Sequence, residues 1–276
     1  MKKRALFVVS IPQVFLLIFS LVPYLTVGQN GQGLFGVLPS TKGSALTPLK
    51  NRIMPLGASR VDGCDNLCES YRYELWQLLN EEGWAFNFIG TQSDERLYPP
   101  QNNSFFDSDH EGRSGCTSQE IADSLESWLF LTGSPQIVLF SSPGGNDILL
   151  NTPYHQILSN IISIIETFQS NNPDVTIIIE QMAPAHSDLM SEEIKDQIEK
   201  LKIDLERLAT FYSTASSKVI AVDMYSGFQD DYLADDLHYN AQGARFIAQK
   251  YYHALRSTLV ENSFRTELKN SIFETR

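Results

Sequence analysis

The stretch Ile53-Met54-Pro55-Leu56-Gly57-Ala58-Ser59-Arg60 is a short apolar run that halts at a glycine and presents a serine two residues later. Four apolar residues bounded by a turn signal read as a buried strand, which places Ser59 just past its carboxyl end. Similar runs recur at Phe86–Ile89, Ile137–Phe140, Val175–Ile179 and Val219–Val222. Amphipathic helical patterns lie between them. Glu69–Asn80 carries Tyr73, Trp76 and Leu79 at helical spacing, and Thr117–Leu131 opens on a Thr117/Glu120 capping box. Pro153–Gln169 has proline in its first turn, Ser187 to about Thr214 is long and charged, and Asn240–Leu255 closes the series. Five strands alternating with five helices predict an α/β fold, a three-layer α/β/α sandwich around a five-stranded parallel sheet. Uninterrupted runs such as Ile137-Val138-Leu139-Phe140 suit strands covered on both faces.

A chain of 276 residues, 42% hydrophobic, can bury one substantial core and does not require two domains. Lys2-Lys3-Arg4 precedes a segment, Ala5 to Val27, with no charged residue. Residues 1–27 therefore read as a secretory signal peptide, with a retained N-terminal anchor as the alternative. The Gly-, Ser-, Thr- and Pro-rich segment 28–50 reads as a linker, 51–258 as the folded domain and 259–276 as a C-terminal tail. This organisation implies a secreted or otherwise extracytoplasmic protein. A net charge of −12 argues against nucleic acid or an anionic membrane surface as partner, and no membrane contact beyond the possible anchor is expected. Cys64 and Cys68, four apart, read as a disulfide with free thiols as the alternative, which leaves Cys116 over. No second Cys/His pair completes a zinc set, so neither a metal nor another cofactor is expected.

In an open parallel sheet, ligands bind beyond the carboxyl ends of the strands. Ser59 falls after the first strand, Gly144-Gly145-Asn146-Asp147 after the third, and Asp235 and His238 after the fifth. Serine, histidine and aspartate are the parts of an activated nucleophile, and only a fold can join groups so far apart in sequence. Acyl transfer also needs donors for a developing oxyanion. Two segments qualify: His110-Glu111-Gly112-Arg113-Ser114-Gly115-Cys116-Thr117, a Gly-rich loop leading into a helix, and Asn146, which can aim its amide into the cleft. His110 reads as a surface-loop residue, Asp147 as a cap for the helix that follows it, and His155, His186 and His253 as structural. Asp236 competes with Asp235 but lies one residue too close to His238.

Together these segments resemble the SGNH hydrolases, the GDSL-type esterase and lipase superfamily with a flavodoxin-like fold. Gly57-Ala58-Ser59 matches the family's Gly-Asp-Ser block, Ser114-Gly115 the oxyanion glycine, Gly144-Gly145-Asn146-Asp147 the Gly-x-Asn-Asp block, and Asp235–His238 the Asp-x-x-His block. The match covers about Arg52 to Leu255. The neighbouring stretches Tyr71-Arg72-Tyr73-Glu74-Leu75-Trp76 and Phe88-Ile89-Gly90 look like members that deacetylate polysaccharides. The resemblance implies Ser59 as nucleophile, His238 as general base and Asp235 as its orienting acid. It implies an oxyanion hole of the Ser59 and Gly115 N–H groups and the Asn146 side chain. Ala58 stands where the family has an acid.

The expected activity is a secreted serine esterase acting on O-acyl esters, acetyl above all, with an acylated carbohydrate or other small ester as substrate. The alternatives are a lysophospholipase or thioesterase of the same superfamily, and a silent carbohydrate-binding module. The loops Tyr98–Ser104 and Phe105–His110 are polar and aromatic, so a polar cleft without an apolar acyl wall is expected.

Overall fold

Strand β1 (Arg52–Gly57) contains Pro55, which has no N–H to give a ladder, yet it lies inside the sheet. The pairing explains this. In a parallel ladder, alternate residues face alternate neighbours. The carbonyls of Arg52 and Leu56 accept from Gln136 and Ser141 on one side, and those of Asn51, Ile53 and Gly57 accept from Asn87, Ile89 and Arg113 on the other. That second side is shared by two short strands, β2 (Asn87–Phe88), pairing with Arg52 and Ile53, and β3 (Glu111–Gly112), pairing with Leu56 and Gly57. Pro55 faces the gap between them, where no acceptor waits.

The computed structural model describes residues 51–259 except 65, 66, 95, 102 and 103. The expected signal peptide or anchor, the linker and all of the tail but Leu259 lie outside the described residues. Beyond β1, the sheet continues through β4 (Ile137–Phe140), β5 (Thr176–Gln181) and β6 (Lys218–Asp223), every pair parallel, in the order β2-β1-β4-β5-β6. The five expected strands are present, and β3 is a sixth. The helices are α1 (Ser59–Asp62), α2 (Tyr71–Glu81), α3 (Ser118–Thr132), α4 (Gly145–Leu149), α5 (Tyr154–Asn171), α6 (Glu192–Tyr212) and α7 (Ala241–Leu255). The Thr117/Glu120 capping box is formed. The charged helix starts at Glu192, capped by Ser191, rather than at Ser187.

Alternation along the strands sends side chains into two cores. Met54, Leu56, Val138, Phe140, Ile177 and Ile179 pack under α3, α5 and α6, against Leu125, Ile161, Phe168 and Leu205. Ile53, Ile137, Leu139 and Ile178 face α2 and α7, against Tyr71, Leu75, Ile247 and Tyr251. Each fully buried Ile, Leu or Phe contributes about 1.5–3 kcal/mol of transfer free energy, so both faces are needed to hold the three layers. Leu259, assigned by sequence to the tail, is 8% exposed and belongs to the second core. No helix among the described residues is long and apolar enough to cross a membrane.

Candidate active site

Gly57 ends β1 at φ +155, and a Cβ there would meet the Ser141 carbonyl at 2.8 Å, so only glycine lets the chain turn this close to β4. Ala58 then caps α1, with Ser59 as its first helical residue. From the other end of the chain, Asn240 caps α7 through Gln242 and Gly243 and gives its Nδ2 to the carbonyls of Asp231 (2.7 Å) and Leu233 (3.2 Å). The Ala234 N–H donates to the His238 carbonyl at 2.8 Å, closing a tight turn over Asp235–His238.

That turn puts three side chains in line. Asp235 Oδ2 lies 2.7 Å from His238 Nδ1, and His238 Nε2 lies 2.9 Å from Ser59 Oγ, across 179 residues of chain. Asp235 Oδ1 also accepts from the N–H groups of Leu237 (2.8 Å) and His238 (2.7 Å). Partial burial works against its charge. The Leu237 N–H, the His238 ring and the His238 N–H outweigh that and hold the carboxyl below its ordinary range. An ionised carboxylate only accepts, so Nδ1 carries the ring proton and Nε2 is left to accept from Ser59. Asp236 takes no part: its carbonyl accepts from the His186 N–H.

Of the oxyanion candidates, Asn146 lines the same cavity as Ser59 and His238, and the turn that carries Gly115 is tied to the nucleophile helix through Asp62. The Ser59 N–H heads α1, where no intrahelical acceptor exists. Gly115 has φ +83, in the left-handed region that favours glycine, and nothing lies within 4 Å of where a Cβ would stand. One hydrogen of Asn146 Nδ2 goes to the Cys116 carbonyl at 2.8 Å, which fixes the amide and leaves the other to donate. Asn146 sits in the first turn of α4, and the loop leading into that helix is held at Ser142 (φ +46), whose N–H donates to Glu180 Oε2 at 2.7 Å. Glu180 is fully buried at the end of β5, and burial pushes its pKa up.

Three positioning residues had little or no local signal in the sequence. Arg60 is a bracket beneath the site: Nε donates to the Leu237 carbonyl (2.9 Å), Nη1 to Ala183 (2.7 Å) and Nη2 to Pro184 (3.0 Å). Asp62 Oδ2 accepts from Ser114 N–H (3.2 Å) and Oγ (2.6 Å), tying the nucleophile helix to the Gly115 turn. Glu180 is the third; a lone acid closing the apolar run Ile177-Ile178-Ile179 was its only trace.

Several expectations are corrected. His110 is 1% exposed, its Nε2 3.5 Å from Asp94 and its Nδ1 accepting from the Gly112 N–H, so it is a core residue and not a surface one. Burial pulls its pKa down. Asp147 lies inside α4 and caps the preceding α3, accepting from Ser118 N–H and Oγ at 2.8 Å each, because the two helix starts meet there. The Cys64–Cys68 disulfide, by contrast, is present as expected, with Cα atoms 5.0 Å apart, and Cys116 is free. The two sulfurs lie with a His238 nitrogen inside 4.8 Å, but sulfurs bonded to each other are not thiolate ligands.

The cleft is polar on one side only. Beside Ser59, Asn146 and His238 lies a cavity of about 70 Å³ walled by Ile148, Leu149, Met182, Met190, Ile194 and Ile198. Its apolar wall comes from α4, the segment after β5 and the inner face of α6, not from the Tyr98–His110 loops, so the expected polar cleft without an apolar wall is corrected.

No family model matches the sequence, and no curated protein sequence matches it. Solved structures do. A family 3 carbohydrate esterase of Clostridium thermocellum is 30% identical, with a TM-score of 0.60 over 76% of this chain and 98% of that one. A mutant acetyl esterase crystallised with an acetate ion is 26% identical, at a TM-score of 0.63 over 75% and 97%. A GDSL-like lipase from Bacteroides thetaiotaomicron, at 17% identity and a TM-score of 0.54 over 76% and 89%, shares the fold. With its parallel sheet and the order of its blocks, the chain belongs to the SGNH hydrolase superfamily of GDSL-type proteins and is a carboxylic ester hydrolase.

Proposed function

We propose that the protein is an exported serine esterase that removes short O-acyl groups, acetyl foremost, from carbohydrate. The observation that carries this reading is the continuous relay from Asp235 through His238 to Ser59 Oγ. In the proposed reaction, His238 Nε2 takes the Ser59 hydroxyl proton as Oγ bonds to the acyl carbon. The carbonyl electron pair moves onto oxygen, where the Ser59 and Gly115 N–H groups and Asn146 Nδ2 receive it. Collapse breaks the bond to the alcohol, which leaves with the proton from His238. Water then repeats the sequence on the acyl-enzyme and frees the acid and Ser59.

Acyl length follows from the apolar cavity. A dry cavity of about 150 Å³ takes benzene, so about 70 Å³ suits two to four carbons. Its lining is the observation that favours a lipase-like reading, and its size opposes one. The likeness to an acetyl esterase and a carbohydrate esterase supports acetyl on sugar. The test is a series of p-nitrophenyl esters. Turnover should be sustained from acetyl to butyryl and collapse by octanoyl; a maximum at octanoyl or beyond would establish the lipase reading instead.

A further inference from the structure

The sheet order gives the site two sides. β1, which delivers Ser59, has β4 and β5 to one side and β2 and β3 to the other. The apolar cavity is walled by segments after β4 and β5. A second cavity, of about 370 Å³, lies over the other side and is walled by segments after β1, β2 and β3. It starts beside the reacting groups: Asp62 and Gly63 end the nucleophile helix, Ser114 precedes Gly115, and the Cys64–Cys68 disulfide forms a wall whose sulfurs lie within 4.8 Å of a His238 nitrogen. An ester has two ends. The acyl end fits the apolar cavity, so the alcohol, whose oxygen must reach His238 Nε2 to leave protonated, is directed over the disulfide.

We propose that this second cavity is a glycosyl subsite holding the alcohol half of the ester as an uncharged sugar. It rests on the esterase reading above and adds the side of the cleft on which selectivity is decided. The walls carry what a polyol needs. Asp62 and Asp94 accept, Arg96 donates, Ser114, whose hydroxyl hydrogen goes to Asp62, accepts, and Ser93 and Tyr98 do both. Burial, together with the Asp94 charge, raises the Tyr98 phenol to about 12, so it keeps its proton. Arg96 lies 4.9 Å over the Tyr98 ring and 3.0 Å from Glu69, which fixes both side chains in advance of a ligand. Asp94 Oδ1 is paired with Arg72 at 2.6 Å, while its buried Oδ2 has no hydrogen-bond partner among the described residues. With Glu69 and Arg72 counted, three carboxylates stand against two guanidiniums, a balance that disfavours a phosphate-bearing alcohol such as a lipid headgroup.

The experiment compares kcat/KM on acetylated xylo-oligosaccharides with kcat/KM on p-nitrophenyl acetate, using the full chain. Arg96→Ala removes a charged donor and Ser93→Trp fills the cavity from an exposed position. Each should lower the ratio of oligosaccharide to p-nitrophenyl turnover by about tenfold or more, Arg96→Ala by losing one charge-assisted hydrogen bond and Ser93→Trp by occupying the space of the sugar. An unchanged ratio in both variants overturns the subsite. Wild-type hydrolysis of p-nitrophenyl acetate with no acetate released from the oligosaccharides overturns it too, and leaves the esterase reading standing. Turnover of neither ester by the wild type overturns both.

Discussion

The Asp235 side chain is 55% exposed and that of His238 is 22%, so the charge of this acid is screened by solvent while the imidazole is partly sheltered. Asp235 therefore acts here more by orienting the ring than by its field. Ser59→Ala and His238→Ala should each lower kcat by about 10⁶-fold, and the double variant little further, because the two act as a unit. Asp235→Asn should cost less, about 10²–10⁴-fold. Asn146→Ala should cost about 10²–10³-fold in kcat with little change in KM, since the donor acts on charge that develops only in the transition state. Steady-state rates on p-nitrophenyl acetate measure all four. At this scale the sequence revealed residues whose identity carries the chemistry and whose position after a strand gives the address. It did not reveal Arg60, Asp62 or Glu180, because their parts depend on partners 124, 52 and 38 residues away.

Among the elements, β3 had no signature of its own. Two residues cannot show a period, and Glu111–Gly112 is a strand only because β1 is beside it. The turn it leads into is held by Asp62, so Asp62→Ala should let the Gly115 N–H drift and lower kcat by up to about 10²-fold. A fall in kcat with a preserved melting temperature is the expected result. β2 offers a pH test. Its Phe88 N–H donates to Asp107 Oδ2 at 2.6 Å, yet burial, foremost, raises the Asp107 carboxyl to about 6. The folded state thus binds this proton more tightly than the unfolded chain, where the carboxyl titrates near 4. Its contribution to stability is fully present below about pH 4 and is lost as pH rises towards 6. Asp107→Asn keeps an acceptor oxygen and has no charge to bury. Its melting temperature relative to wild type should climb between pH 4 and 6 and level off above; a difference flat across that range would contradict this.

For the whole molecule, the alternation of apolar runs with helical patterns was enough to predict a parallel sheet between two helical layers. The split of β1's far side between two short partners was not legible, because it depends on pairing and not on pattern. The two cores make the fold cooperative, so Phe168→Ala, at 0% exposure on the buried face of α5, should cost about 3–5 kcal/mol and lower the melting temperature by roughly 10 °C. The same architecture makes the central claim, that a serine following the first strand and a histidine after the last form one nucleophilic unit. Its most direct test is active-site labelling with a fluorophosphonate, followed by peptide mapping by mass spectrometry. Labelling should be stoichiometric on Ser59, absent in Ser59→Ala and strongly slowed in His238→Ala. Label on any other residue, or full-rate labelling of Ser59 without His238, would contradict the account.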